Sequence, residues 1–295
     1  MTDGGMETTL IFHHGFELPC FASFTLLRDE AGRAALRSYF EPYLELAREH
    51  GVGIVLDTPT WRASSDWGAQ LGYSDEELAL ANRDGVALIA ELRDDWAGEV
   101  SVVVSGCVGP RGDAYSPSEV MTDAEARQYH ETQIRTLTEA GADVITGLTL
   151  AYAAEAVGIV RAAQATGMPV VVSFTVETDG RLPDGQPLRA AIEHVDAATD
   201  AAPAYFMVNC AHPAHFADVL GEDGPWLRRI RGLRANASKK SHAELDESDE
   251  LDAGDPAELG GDYRALRDRL PELLVVGGCC GTDERHIGAI CEALT

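Results

Sequence analysis

A chain of 295 residues with 49 acidic against 23 basic side chains has a formal net charge of −26, a surface that repels phosphate backbones and excludes nucleic acid as a partner. No apolar run approaches the ~20 residues of a membrane span, and six cysteines are too sparse for a disulfide scaffold in a chain this long. The length admits one large α/β barrel or two ordinary domains. The start, "MTDGGMETTL", has neither a basic leader nor an apolar signal core, so the expectation is a cytoplasmic protein with no membrane partner. Lysine occurs only at Lys239 and Lys240 while arginine is common, which suits a salt-adapted organism and a GC-rich genome equally.

Short β-branched runs alternate with longer amphipathic stretches, the pattern of parallel βαβ units. Strands are predicted at 51–58, 99–106, 142–149, 168–175, 204–209, 230–236 and 273–278. Helices are predicted at 34–50, 74–96, 122–140, 153–166, 188–201, around 215–220, at 262–270 and at 283–294. "SDEE" at Ser74 and "TDAE" at Thr122 place a hydroxyl three residues before a glutamate, a capping-box signal. Eight helices against seven strands require one more strand, and the extreme N-terminus is the only place for it. That strand is either very short or formed after the glycines, because only Met1 and Thr2 precede "DGG". The fold class is therefore α/β, a single-domain (β/α)8 TIM-type barrel over 1–295. An open dinucleotide-binding sheet is disfavoured, since "GCVGPRG" at 106–112 lacks the G-x-G-x-x-G spacing. The acidic stretch 238–262 breaks the rhythm after the seventh strand of the barrel, where it reads as a lid over the mouth or as a loop without a role.

Residues just after barrel strands gather at the C-terminal mouth however distant they are in sequence. Cys210 follows "AYFMVN", and Cys279 and Cys280 follow "LLVVGG", so three thiols reach one rim. Three thiolates suit Zn²⁺ and leave its fourth position open, as in a catalytic site. On this reading Gly277 and Gly278 let the backbone turn so that adjacent thiols face one ion. Cys20, Cys107 and Cys291 read as small buried apolar residues. His212, followed by Pro213, reads as a helix-start residue rather than a fourth ligand.

"MVNC" and "VVGGCCGT" resemble the homocysteine S-methyltransferase family, which includes betaine- and S-methylmethionine-homocysteine methyltransferases and the homocysteine-binding part of cobalamin-dependent methionine synthase. "DGGMETTL", "LDTPTWRAS", "SGCVGPRG" and "VVSFTVETDGRLPDG" extend the likeness over nearly the whole chain. The resemblance implies methyl transfer from a sulfonium or quaternary ammonium donor to the homocysteine thiol, forming methionine. It implies that Asp3 and the backbone amides of Gly4, Gly5 and Met6 hold the amino-acid end, that Thr58 and Thr60 line the pocket, and that Asn209 orients the strand end beside Cys210. A thiol with a pKa of ~8.5 is mostly protonated at neutral pH, whereas the nucleophile is the thiolate. Binding the acceptor sulfur to zinc would deprotonate it.

Two positions depart from the family. Leu148 stands where the family has a glutamate for the amino group of homocysteine, leaving that role to Asp3 or to Glu177. Arg62 stands where the betaine-type enzymes have an aromatic residue. It either pairs with Asp66 at the surface, the favoured reading, or clamps a carboxylate. Beside the leading reading stand the same chemistry on another small thiol or selenol, a non-catalytic zinc- or thiol-binding barrel, and a redox pair of cysteines. A small-molecule acceptor and donor are the expected partners, and a monomer or small homo-oligomer the expected state.

Overall fold

The computed structural model describes every residue except 118, 119, 222, 249 and 295, with 246 described by its backbone alone. Its centre is a parallel sheet of seven strands, β1 (Ile54–Asp57), β2 (Val102–Val108), β3 (Val144–Leu150), β4 (Val170–Phe174), β5 (Tyr205–Asn209), β6 (Ile230–Ala235) and β7 (Val275–Gly278). Each strand pairs with the next in chain order. The helices are α1 (Met6–Thr8), α2 (Glu30–His50), α3 (Ser65–Gln70), α4 (Asp75–Asp95), α5 (Asp123–Glu139), α6 (Ala153–Thr166), α7 (Leu188–Thr199), α8 (Pro213–Phe216), α9 (His242–Asp246), α10 (Pro256–Arg267) and α11 (Glu284–Leu294). Runs such as Val170–Phe174 are buried throughout, as strands covered on both faces must be.

The sheet closes on the N-terminus. Thr2 donates its amide to Val276 at 2.8 Å, the Gly278 amide donates to the Asp3 carbonyl at 2.9 Å, and the Val55 amide donates to the Met1 carbonyl at 2.8 Å. Residues 1–3 thus bond to both β7 and β1 and complete the barrel, which is the short-strand version of the sequence expectation. No described helix is long and apolar enough to cross a membrane.

Both expected capping boxes form: the Glu77 amide donates to the Ser74 hydroxyl, and the Glu77 carboxylate accepts from the Ser74 amide at 2.8 Å. Thr122 and Glu125 repeat the arrangement. Helix α2 starts four residues before the expected position because Asp29 caps it, accepting the Gly32 amide at 2.8 Å. The stretch 238–262 is not one continuous loop. Ser241 and Glu244 build a third capping box that starts α9, and Asp255 caps α10 by accepting the Glu258 amide.

Register brings the chemistry to one end. Asp57 pairs with Ser105, Asn209 with Arg234 and Ala235 with Gly278, so the last residues of β1, β5, β6 and β7 lie around the same mouth.

Candidate active site

A cavity of about 420 Å³ opens at that mouth. Its thiol wall contains all three predicted cysteines, whose sulfurs lie within 4.8 Å of one another. Cys210 and Cys279 are joined by a disulfide, and the Cys280 sulfur is 4.0 Å from that of Cys210. The bond spans 69 positions and does not link the adjacent pair.

Backbone geometry aims this wall. Cys210 has φ 53° and Thr149 φ 63°, left-handed conformations that non-glycine residues adopt only where their surroundings enforce them. Asn209 supplies that enforcement. Its side-chain oxygen accepts from the Thr149 amide at 3.0 Å and the Ser173 hydroxyl at 2.6 Å, while its nitrogen donates to the Thr149 hydroxyl at 2.8 Å. Asn209 is fully buried and lies behind the cavity surface, where its side chain braces the ends of β3, β4 and β5. The Cys210 carbonyl meets Nε2 of His242 at 2.5 Å.

The glycine expectation needs correction. Gly277 and Gly278 lie in β7 without left-handed backbone; a Cβ on Gly277 would sit 1.9 Å from the Thr2 hydroxyl, and one on Gly278 2.0 Å from that of Thr282. They permit close approach of the N-terminal strip, and the turn itself falls on Gly281, at φ 78°.

The amino-acid end of the predicted site is occupied by protein groups. Asp3, buried at the cavity floor, gives one oxygen to Arg234 at 2.6 Å and the other to the Tyr39 hydroxyl at 2.9 Å. The amide of Gly5 is spent on the Thr282 carbonyl at 3.0 Å, so it is not a carboxylate receptor; Gly4 and Met6 line the cavity. Arg234, which sequence reasoning missed, also pairs with Asp57 and donates to the Gly278 carbonyl at 3.1 Å. Burial pushes the Asp3 carboxyl up, to about 6, against the pull of Arg234. Two carboxylates hold the Arg234 charge firmly despite its burial. The other Asp57 oxygen is buried with no hydrogen-bond partner among the described residues, and Asp57 lines the cavity. An arginine in the middle of a β-run, "GLRAN", paired with an aspartate ending another, "IVLD", was the available signal.

Thr58 lines the cavity, but Thr60 does not. The Thr60 hydroxyl instead lies 2.6 Å from that of Thr58 and donates to the Cys107 carbonyl at 2.7 Å. Glu177 is absent from the lining because its carboxylate meets Nδ1 of His242 at 3.0 Å. Leu148 lines the cavity, and its carbonyl accepts the Trp61 indole at 3.1 Å. Arg62 contradicts the surface-pairing expectation. It is buried and lines the cavity, while Asp66 is taken by Arg111 at 2.7 Å. His212 caps α8 by accepting the Ala214 amide at 3.1 Å, as expected of a helix-start residue. Cys107 and Cys291 are buried as expected, whereas Cys20 is half-buried.

A parallel barrel with a soft-donor cluster and a ligand-sized cavity at its C-terminal mouth belongs to the class of α/β-barrel enzymes that hold a small molecule at the strand ends. The sequence signature of homocysteine S-methyltransferase matches residues 1–294; the chain belongs to that family and is a methyltransferase. Homocysteine S-methyltransferase YbgG of Bacillus subtilis (strain 168) is 23% identical over 255 residues, 79% of this chain and 76% of the relative. Among solved structures, the homocysteine methyltransferase MmuM from Escherichia coli superposes in its oxidized form with a TM-score of 0.77 at 20% identity, covering 100% of this chain and 95% of that one. Its metallated form gives 0.74 at 18% identity, covering 99% and 95%. At these identities the structural likenesses speak for the fold.

Proposed function

We propose that this protein transfers a methyl group from a sulfonium or quaternary ammonium donor to the thiol of homocysteine, with Zn²⁺ held by Cys210, Cys279 and Cys280. The observation that carries the reading is the convergence of those three sulfurs within 4.8 Å. An all-thiolate donor set fits a borderline-soft ion. It is available only when the Cys210–Cys279 disulfide is reduced. Zn²⁺, when bound, supplies the Lewis acidity that ionises an acceptor thiol at neutral pH.

The chain's own residues do the rest. Asn209 and the left-handed Cys210 fix the direction of one thiol, and the packed glycines of β7 hold the other two against the N-terminal strip. Thr58, Gly4 and Met6 shape the wall against which the acceptor lies. Without a glutamate at Leu148, the ammonium of the acceptor finds its acceptors in Asp57, whose second oxygen has no hydrogen-bond partner among the described residues, and in Glu7, another carboxylate of the lining. The part of 238–262 that precedes α10 acts as a lid: Ser238, His242, Leu245 and Leu251 border the cavity, and His242 ties it to Glu177 and to the backbone of Cys210. Closure of such a roof would exclude water from the transferring methyl.

The test is formation of methionine from homocysteine with S-methylmethionine, betaine or S-adenosylmethionine, run beside elemental analysis of the reduced protein. Zinc near one equivalent and turnover with at least one donor are expected. Zinc binding without turnover of any thiol would instead identify a storage or sensing barrel.

A further inference from the structure

Arg62 is a buried cation that no described carboxylate pairs with; the charges of Asp113 and Glu7, which line the same cavity, act on it only from a distance. Only 8% of it is exposed, and among the described residues it makes no ion pair and one side-chain hydrogen bond, Nη1 to the Gly112 carbonyl at 3.1 Å. Its Nε is buried without a hydrogen-bond partner among the described residues. A desolvated charge left in this condition is costly unless something completes it. Burial lowers the guanidinium to about 10, so it is still charged at neutral pH.

The surroundings hold the group rigidly. Its carbon lies 4.0 Å from the Trp61 ring centre and 3.8 Å from that of Trp67, so both indoles pack against the guanidinium. Each indole is itself anchored, Trp61 to the Leu148 carbonyl at 3.1 Å and Trp67 to the Pro110 carbonyl at 3.3 Å. The turn that carries Gly112 is pinned from below by buried Glu155, which accepts the Arg111 amide at 2.8 Å and meets Nε2 of His130 at 2.9 Å.

This arrangement selects a ligand chemistry. With tryptophans against it, the guanidinium offers its planar N–H edge, the geometry that matches a carboxylate. Its charge repels the sulfonium or quaternary ammonium centre of a donor, and a neutral group would gain less from it. Of the two arginines lining the cavity, Arg234 is neutralised by Asp3 and Asp57, and the other charges of the lining are mostly acidic. A bound carboxylate therefore has one favourable place.

We propose that Arg62 is a carboxylate receptor in the cavity wall that selects for an amino-acid substrate. The carboxylate belongs to the thiol acceptor or to the methyl donor, an assignment that rests on the methyl-transfer reading, whereas the receptor itself does not.

The experiment is isothermal titration of the full-length, zinc-loaded protein and of Arg62→Gln and Arg62→Lys with two matched pairs. Methionine against 3-(methylthio)propylamine probes the acceptor subsite. S-methylmethionine against its decarboxylated sulfonium probes the donor subsite. In the wild type, one pair should show a preference for the carboxylate-bearing member. Arg62→Gln should weaken that member roughly 10- to 100-fold and leave its partner within about twofold, the scale of a charge-assisted hydrogen bond. Arg62→Lys should recover only part of the preference, because an ammonium lacks the fork, and it covers the case in which the glutamine variant folds poorly. Equal weakening of both members, or no change in either pair, would overturn the receptor. A normal Arg62-dependent preference in a protein that methylates no thiol would leave the receptor standing and remove the proposed function.

Discussion

The thiol wall and the arginine wall of the cavity face one space but are built differently. The thiols stand on strand ends, where barrel register and two left-handed residues, Thr149 and Cys210, set their direction. Arg62 stands on the loop between β1 and α3 and is held by side chains: two indoles, the carbonyls that anchor them, and the turn at Gly112. A site on strand ends inherits its precision from the sheet, whereas a site on a loop must be braced by packing around it. The thiol wall can thus be common to a family, while the arginine wall is free to set what this chain prefers to bind.

The largest effect should come from breaking the thiol wall. Cys280→Ser should lose bound zinc and reduce methionine formation more than about 100-fold, beyond the loss typical of groups that merely support a metal ligand. Zinc analysis and a product assay on the same sample check it. Redox state should act on the same wall: protein holding the Cys210–Cys279 disulfide should take up no zinc, and a thiol reductant should restore uptake, read by titration with a zinc-sensitive dye.

Next in size is the floor between the walls. Arg234→Met leaves Asp3 and Asp57 buried together without their cation, and should cost about 3–5 kcal/mol of stability in urea unfolding. Adding Asp57→Asn should return part of that loss, since the two sites share one network. Additive losses in the double variant would show that the network is not coupled.

Smaller effects should separate the arginine wall from the roof. Trp67→Leu removes one of the two indoles packed against Arg62 and should weaken carboxylate-dependent binding by about 1 kcal/mol, the scale of a partly desolvated cation–π contact, with zinc content unchanged. His242→Phe keeps an aromatic ring against Tyr115, whose centre lies 4.0 Å away, but loses the contacts to Glu177 and the Cys210 carbonyl. It should free the segment around α9 by about 1 kcal/mol, seen as faster limited proteolysis between 238 and the start of α10 at Pro256, with little change in the melting temperature of the barrel.

The order of strands and helices could be read directly from the residues, because period and turn chemistry are local. So could the thiol cluster, because in a barrel a strand-end position is already a spatial address. Even the completing strand was legible as a deficit at the N-terminus, although its three residues show no strand pattern. The charge pairings were fixed only on folding. Whether Arg62 met Asp66 or a cavity, and whether Asp3 was free or bound to Arg234, depended on side chains distant in the chain competing for the same partners. Arg111 took Asp66, Arg234 took Asp3, and no local pattern records the outcome of such a competition. The same holds for Gly277 and Gly278, whose reason for being glycine is the approach of Thr2 and Thr282, a contact that exists only once the barrel has closed.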